Sequence, residues 1–323
     1  MTLEIIADPA RLVEFQPEWS LFARTLSCLT PFQLPEWLVT WWRHFGSGEL
    51  HVLIFREGSD IVAVIPCFLH EWRGLRQITL IGSGISDYLE PAIATQHSCA
   101  VTDRLQSHLL PNTQWDVCNW QDLSCNTPLK RIASTVLEDM PCSEIQLRST
   151  FEEYWKSRPK SLRQNVRRDT RKAESSGSVA FEVSKRANAE SIGALIDLHT
   201  ARWNERGEPG MIQTNHSAGF LEDIAREFAT RGMLRIFSLR FEGKIAAVIF
   251  GFQYGKRLFN YLTAFDPAHE AFGLGRALLY ESIRYCFENG YEAWNFLRGD
   301  EPYKMWWGAE KVPKCRVILQ RTN

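Results

Sequence analysis

Two stretches of the chain, residues 50–68 and 234–252, share one pattern, and this repeat constrains the fold more than any other feature. The first reads LHVLIFREGSDIVAVIPCF and the second reads LRIFSLRFEGKIAAVIFGF. Each is an apolar run, a Glu-Gly turn and a second, nearly continuous apolar run, which predicts a β-hairpin with glycine in the turn. Each predicted hairpin follows helical segments and precedes a strand, a helix and a further strand. The sequence therefore predicts two α/β halves in tandem.

Hydrophobic periodicity places the join between the halves near residues 140–150. In the first half we predict strands at 3–7, 50–56, 61–69, 75–82 and 115–120, with helices near 9–25, 34–45 and 98–110. In the second half we predict strands at 179–184, 234–241, 244–253, 258–265, 292–298 and 312–319, with helices near 151–175, 187–206, 217–231, 274–289 and 302–308.

Composition excludes several classes of protein. With 45% hydrophobic and 23% charged residues among 323, the chain can bury a sizeable core, so disordered and fibrous classes are excluded. Its 37 basic and 38 acidic residues nearly cancel, which argues against a surface that binds DNA or membranes as a whole but allows a local basic patch. Trp is frequent, with 12 residues, which favours large aromatic cores or aromatic-walled clefts.

The cysteines and the N-terminal residues indicate in which cellular compartment the protein is expected. The eight cysteines are scattered without a CxxC pair, so we expect reduced thiols and no metal site. The N-terminal residues lack a signal-peptide pattern, and no apolar run approaches the roughly 18 residues of a membrane span. These features predict a cytoplasmic protein without an integral membrane segment.

The segment from Phe259 to Leu279 carries the clearest binding chemistry. An apolar strand ends near Asp266, a short loop ends in Gly273-Leu274-Gly275, and an amphipathic helix follows at once. Such a junction presents unpaired backbone N–H groups at the positive end of a helix, which is a cradle for a diphosphate. The alternative is an ordinary turn before a helix. The segment lacks the further glycine of a dinucleotide fingerprint, and the chain contains no Gly-Lys-Ser/Thr of a Walker loop.

A second polar segment follows the next predicted strand. It reads Arg-Gly-Asp-Glu-Pro-Tyr-Lys from position 298, so Asp300, Tyr303 and Lys304 come directly after the strand. A Tyr hydroxyl can donate a proton, and a Lys can neutralise a phosphate or an oxyanion. Asp300 is a candidate base, although an N-cap before Pro302 explains it as well.

Three further groups are candidates for binding or catalysis. His199, Arg202 and Trp203 lie on one predicted helix, where His199 can be a base or a packed side chain. Asp87 and Tyr88 follow a glycine-rich loop and can recognise an acceptor or serve the turn. The segment 160–172 is strongly basic and places Arg163, Arg167 and Arg171 on one helix face, which is either a solvated surface or a site for an anionic ligand.

The order hairpin, strand, Gly-x-Gly loop, helix and strand resembles the GCN5-related N-acetyltransferase (GNAT) superfamily, with Glu270 where the family's loop has Gln or Arg. Arg298-Gly-Asp-x-x-Tyr-Lys-x-x-Trp-Gly, together with Phe32–Trp42, Ser86–Tyr88, Arg163–Lys172 and Leu198–Gly207, resembles the double-GNAT acetyltransferases associated with cellulose biosynthesis. More distantly, it resembles Fem-type aminoacyl transferases. The resemblance covers almost the whole chain.

This resemblance implies an α/β (α+β) fold of two GNAT-like halves, each with a mixed, mostly antiparallel twisted sheet flanked by helices. Residues 1–145 would be a degenerate half that shapes the acceptor side, and residues 146–323 would hold acetyl-CoA or another acyl-CoA as donor. The expected donor contacts are Leu262, Thr263, Phe272, Gly273, Leu274, Gly275 and Arg276. The expected catalytic residues are Tyr303, Lys304, Asp300 and His199, and the expected acceptor contacts are Asp87, Tyr88, Arg167, Arg202 and Trp203.

The implied activity is direct transfer of an acyl group to an amine or hydroxyl of a small molecule or an envelope or polysaccharide precursor. One alternative is a Fem-type transferase that uses aminoacyl-tRNA as donor, which the basic segment 160–172 motivates. The other is a catalytically degenerate GNAT-fold binding module.

Overall fold

A computed structural model describes residues 1–207, 210–212 and 214–321. The strands are β1 (Thr2–Ile6), β2 (Glu49–Glu57), β3 (Asp60–Trp72), β4 (Leu75–Leu80), β5 (Ala92–Ile93), β6 (Val117–Ser124), β7 (Thr135–Gln146), β8 (Val179–Ser184), β9 (Leu234–Phe241), β10 (Lys244–Tyr254), β11 (Arg257–Phe265), β12 (Ala293–Arg298) and β13 (Glu310–Gln320). The helices are α1 (Pro9–Arg24), α2 (Pro35–Phe45), α3 (Ser98–Leu109), α4 (Phe151–Ser157), α5 (Lys160–Ser176), α6 (Ala189–Arg206), α7 (Asn215–Thr230), α8 (Leu274–Glu288) and α9 (Pro302–Trp306). Short 3₁₀ turns lie at 31–33, 95–97, 128–132 and 267–272.

The chain divides into two compact units. Unit 1 consists of residues 1–140 together with 313–323, and unit 2 consists of residues 141–312. The last residues of the chain thus group with the first unit. Strands β7 and β13 each contribute residues to both units.

Unit 1 contains a mixed sheet in the order β1-β2-β3-β4-β6-β13, with β5 paired to β3. All of its pairs are antiparallel except β4 with β6. Its core is rich in fully buried aromatic side chains, among them Trp19, Trp37, Trp115, Trp120 and Phe55. The abundance of tryptophan noted in the sequence therefore builds this core.

Unit 2 contains a mixed sheet in the order β7-β12-β11-β10-β9-β8, in which only β11 and β12 run parallel. Helix α8 packs on this sheet through Leu278, Ile283 and Cys286, all fully buried. The predicted hairpin turn closes at Glu242 and Gly243, which both have positive φ angles, as a two-residue hairpin turn requires.

The predicted repeat is confirmed in the pairing of the strands. In each unit a hairpin (β2–β3 or β9–β10) is followed by an antiparallel strand (β4 or β11) and later by a helix (α3 or α8). The strand after that helix (β6 or β12) pairs in parallel with β4 or β11. The helices predicted near 151–175 are α4 and α5, which Pro159 separates. Strand β7 was not predicted and occupies part of the region expected to be the join.

Both units also share a bulge that the sequence did not reveal. The register of β6 shifts opposite Cys315 and Val317, and the register of β12 shifts between Asn295 and Leu297. Asp122 in β6 and Leu297 in β12 adopt positive φ angles of 58° and 62° at these bulges. Residues other than glycine rarely adopt this backbone conformation. Both residues are buried, and their packed surroundings hold them in it.

Candidate donor site in unit 2

The site begins where two parallel strands separate. Strands β11 and β12 pair only from Arg257 to Phe259, whereas β11 continues to Phe265 with β10 as its partner. The separation leaves a cavity of about 320 Å³ beside the remainder of β11. Its lining residues are Leu162, Arg202, Ile249, Asn260, Thr263, Phe265, Glu270, Gly273, Leu274, Gly275, Arg276, Leu279, Tyr303, Trp306 and Trp307.

The first turn of α8 faces this cavity and offers backbone donors. Gly273 precedes the helix with φ 59°, and its carbonyl accepts from the amides of Arg276 and Ala277 at 3.0 and 3.1 Å. The amide of Gly273 itself donates to the carbonyl of Glu270 at 2.9 Å. Within the described residues, no backbone acceptor is recorded for the amides of Leu274 and Gly275. Two donors at the positive end of a helix are therefore available to an anion.

A carboxylate from α5 stands beside the same turn. Asp169 is 4% exposed and forms ion pairs with Arg276 and, at 3.0 Å, with Arg168. A Cβ placed on Gly273 would collide with the Asp169 carboxylate, so only glycine fits here. Glu270 also lines the cavity. The predicted diphosphate corner thus has two free amides and one arginine, but that arginine is already paired with an acid.

Tyr303 brings a phenol to the other side of the cavity. It lies in α9 with its ring edge-on to Phe296, at a centroid distance of 6.0 Å. Partial burial and the nearby Glu301 carboxylate raise the pKa of Tyr303 to about 12. The phenol therefore keeps its proton at neutral pH, the state that a proton donor needs.

Arg202 is the second predicted residue that reaches this cavity from a distant segment. Its guanidinium lies 4.4 Å from the ring centre of Phe265. The structure therefore brings Arg202, Thr263, Tyr303 and the loop of Gly273–Arg276 together, although they come from α6, β11, α9 and the start of α8.

Lys304 is turned away from the cavity and ties its own loop together. Its ammonium, in a side chain only 3% exposed, is within hydrogen-bond reach of the carbonyls of Arg298 (2.7 Å), Gly299 (3.2 Å) and Leu297 (3.5 Å). It also pairs with the Glu301 carboxylate at 2.8 Å. This geometry supports a role in holding the turn between β12 and α9.

Asp300 lies on the surface outside the cavity lining and pairs with Lys311 at 3.6 Å. The N-cap position of α9 belongs to Glu301, so the capping role considered for Asp300 is not observed.

His199 is 4% exposed and outside the cavity lining, beside Trp203 at a ring distance of 5.9 Å. Burial, with the Arg202 charge nearby, lowers the pKa of His199 to about 4. A histidine with this pKa is neutral but weakly basic at pH 7, so its surroundings favour a packed role.

The remaining predicted donor and acceptor residues lie elsewhere. Leu262 lies on β11 outside the cavity lining, and Phe272 packs on Phe241 at 5.2 Å. Arg167 lines a separate groove along α5.

In unit 1, Tyr88 is 9% exposed and lies under the Lys314 ammonium, 4.0 Å from the ring centre. Its neighbour Asp87 is partly exposed. The acceptor role of these two residues stays a prediction.

Sequence reasoning missed Asp169, Trp306 and Trp307, which line or abut the cavity. Asp169 is the one acid within the basic segment 160–172, and this exception was the available signal. Its partner Arg276 lies 107 positions further along the chain, so the pair itself was not visible in the sequence.

Within the described ranges, no group of three or more His, Cys, Asp or Glu side chains is placed to hold a metal ion. None of the described helices is long and apolar enough to cross a membrane.

Comparisons with known proteins bear on the fold of the chain. The solved structure of FemX superimposes with a TM-score of 0.67 at 11% identity, over 99% of this chain and 98% of that one. L-PGS from Bacillus licheniformis gives a TM-score of 0.61 at 13% identity, over 98% and 93%. A conserved protein of unknown function from Bacteroides thetaiotaomicron gives 0.63 at 11% identity, over 98% and 100%.

These similarities concern the fold, and they confirm the predicted α/β class of two tandem GNAT-like halves. No curated protein matches the chain in sequence. The family model described as acetyltransferase (GNAT) domain matches residues 160–305, a range that contains the glycine loop, Tyr303 and all of the cavity-lining residues except Trp306 and Trp307. The similarity to the GNAT acetyltransferase family model thus covers residues 160–305 of the chain.

Proposed function

We propose that this chain is an acyltransferase that moves an acetyl or longer acyl group from an acyl-CoA to an amine or hydroxyl. The acceptor would be a small molecule or an envelope or polysaccharide precursor. The observation that carries the proposal is the cavity in which the free amides of Leu274 and Gly275 meet Tyr303. An acyl transfer needs an anion anchor for the donor and a proton donor for the leaving group.

In this reaction each residue of the cavity has a separate role in binding or proton transfer. The amides of Leu274 and Gly275 hold the donor's diphosphate, and Arg276 exchanges its partner Asp169 for a phosphate. The acceptor nitrogen or oxygen attacks the thioester carbonyl, so that a C–N or C–O bond forms and the C–S bond breaks. Tyr303 gives its proton to the departing thiolate and recovers one from the acceptor through solvent. The lowered pKa and the burial of His199 do not favour it as the base in this scheme.

Calorimetric titration of the full chain with acetyl-CoA tests the donor assignment. We expect saturable binding at one site and weaker binding by Arg276→Gln, with Arg148→Gln, an exposed cation of the same unit, as the matched control. Release of free thiol in the presence of a panel of amines then tests transfer. Binding without turnover on any amine or alcohol would favour the degenerate binding module instead.

A second candidate donor is aminoacyl-tRNA, and the cationic side chains of Lys160, Arg163, Arg167 and Arg171 along α5 favour it. Asp169 and Glu270 place negative charge beside the glycine loop, which opposes a CoA diphosphate at that loop. A gel shift with tRNA at several salt concentrations separates the donors. Tight, strongly salt-dependent tRNA binding without acetyl-CoA binding would replace the first proposal by this one.

A further inference from the structure

Two histidines of unit 1 bring their ring nitrogens together from different elements of the fold. The Nε2 atoms of His51 in β2 and His108 in α3 lie 3.4 Å apart, although the residues are 57 positions apart in the chain. Their rings are nearly parallel, with an interplanar angle of 16° and a centroid distance of 5.7 Å. The Nε2–Nε2 distance exceeds the roughly 2.7–3.2 Å of an ordinary hydrogen bond from an N–H group, so a hydrogen bond between the rings would be weak.

The distance between the two nitrogens matches that between two ligands of one metal ion. A tetrahedral zinc ion binds histidine nitrogens at about 2.0–2.1 Å, which separates two such nitrogens by about 3.3–3.4 Å. The rings meet almost head-on, so a small change in the side-chain torsion angles of each histidine is needed to point both lone pairs at one ion. Both side chains are partly exposed, which leaves room for this change.

The surroundings of the pair keep both imidazoles neutral at pH 7. Burial lowers the pKa of His51 and of His108, and the nearby His108 and Arg104, respectively, act in the same direction. The neutral imidazole is the form that binds a metal ion. The carboxylate of Glu49 acts on His51 in the opposite sense and favours a cation, whereas Arg104 is exposed, so that solvent screens its repulsion.

A cavity beside His51 gives the pair access to water. The cavity has a volume of about 450 Å³, and its polar lining includes Glu49, His51, Asn112 and Gln114. Water in a polar cavity can complete the coordination of an ion that two imidazoles hold. Among the described residues, no third His, Cys, Asp or Glu side chain is placed to join the pair, so the remaining coordination positions stay open to water.

We infer that His51 and His108 form a binding site for a divalent transition-metal ion such as Zn²⁺, separate from the proposed acyl transfer. The ion links β2 to α3 within unit 1. Imidazole ligands favour Zn²⁺, Ni²⁺ or Cu²⁺ over Mg²⁺ and Ca²⁺, which prefer oxygen ligands. The sequence predicted no metal site because its cysteines are scattered, and two histidines 57 positions apart form no recognisable ligand motif.

Equilibrium dialysis of the full chain against Zn²⁺ tests the site. The background is Cys28→Ser/Cys99→Ser, because these two exposed thiols can also bind zinc. We expect one Zn²⁺ per chain with a Kd in the micromolar range, and His51→Gln and His108→Gln should each weaken binding about tenfold or more. The matched control is His216→Gln, which removes an exposed histidine of unit 2 and should leave the affinity unchanged.

X-ray absorption spectroscopy of the zinc-loaded protein identifies the ligands even if a histidine variant fails to fold. We expect two imidazole nitrogens at about 2.0–2.1 Å from the zinc and oxygen in the remaining positions. The site is overturned by absence of binding, by binding only at millimolar zinc, by unchanged affinity in either single histidine variant, or by sulfur bound to the zinc. Each of these results leaves the acyl-CoA proposal in place, because that proposal concerns the start of α8 in unit 2.

Discussion

At Gly273 the backbone and one carboxylate together define the corner proposed to hold the donor diphosphate. The residue has φ 59°, and any Cβ would meet the Asp169 carboxylate. A substitution such as Gly273→Glu would therefore disturb folding and binding at once. The informative change is at Asp169, whose charge can be removed with its shape preserved.

Asp169→Asn should tighten the binding of acetyl-CoA about tenfold. The variant removes a negative charge beside the phosphate position and releases Arg276 from its ion pair. Calorimetric titration measures the change, with Asp197→Asn, an exposed acid on α6, as the control. Unchanged or weaker binding by a folded Asp169→Asn protein would argue against a diphosphate at this corner.

Tyr303→Phe should lower kcat about 100-fold and leave the KM for acetyl-CoA within about twofold. The substitution removes only the proton donor, whose contribution in general acid catalysis has this order of magnitude, and keeps the ring against Phe296. Steady-state thiol release measures both constants once an acceptor is known. A variant with the kcat of wild type would exclude Tyr303 as the acid.

His199 should make the stability of the chain depend on pH below neutrality. Its pKa is lowered to about 4 in the folded protein by burial and by Arg202, against about 6.5 when unfolded. The unfolded state therefore binds more protons between these values, and the free energy of unfolding falls as pH drops from about 6.5 to about 4, by up to about 3 kcal/mol. Urea unfolding at pH 7 and pH 5 should show a smaller drop for His199→Gln, and an equal drop in both proteins would contradict the assignment.

Among the elements, the turn from β12 to α9 carries Tyr303 to the cavity. The bulge at Leu297 and the buried ammonium of Lys304 hold this turn. Lys304→Met should therefore lower the free energy of unfolding by about 2–3 kcal/mol, because three carbonyls lose a charged donor.

The control for this change is Lys311→Met, which removes an exposed lysine that pairs with Asp300. Its effect should stay within about 0.5 kcal/mol. Similar losses for both variants in denaturant titrations would show that the Lys304 contacts contribute little.

The elements differ in how far the sequence reveals them. The hairpins, α8 and the glycine loop could be predicted because periodicity and turn residues are local signals. Strand β7 could not, because exposed Glu138, partly buried Asp139 and then Pro141 interrupt its apolar pattern. The inward orientation of the Lys304 side chain could not be predicted either. Its partners are backbone carbonyls and the neighbouring Glu301 carboxylate, and groups of this kind lie near most lysines in a sequence.

At the scale of the molecule, the repeat gives each unit the same succession of hairpin, strand, helix and parallel strand, yet only in unit 2 does a Gly-x-Gly open the helix. The loop after β4 contains Gly82-Ser83-Gly84, but β5 and the turn at 95–97 separate it from α3, whereas Gly273 directly precedes α8. The asymmetry expected from the sequence is thus visible in the residues that follow equivalent strands. We expect one donor site per chain, in unit 2.

A crystal structure of the full chain with a non-hydrolysable acetyl-CoA analogue tests the central claim most directly. We expect diphosphate oxygens at hydrogen-bond distance, about 2.7–3.2 Å, from the amide nitrogens of Leu274 and Gly275, with Arg276 turned from Asp169 to a phosphate. A diphosphate bound elsewhere, with the Asp169–Arg276 pair intact beside Gly273, would contradict it.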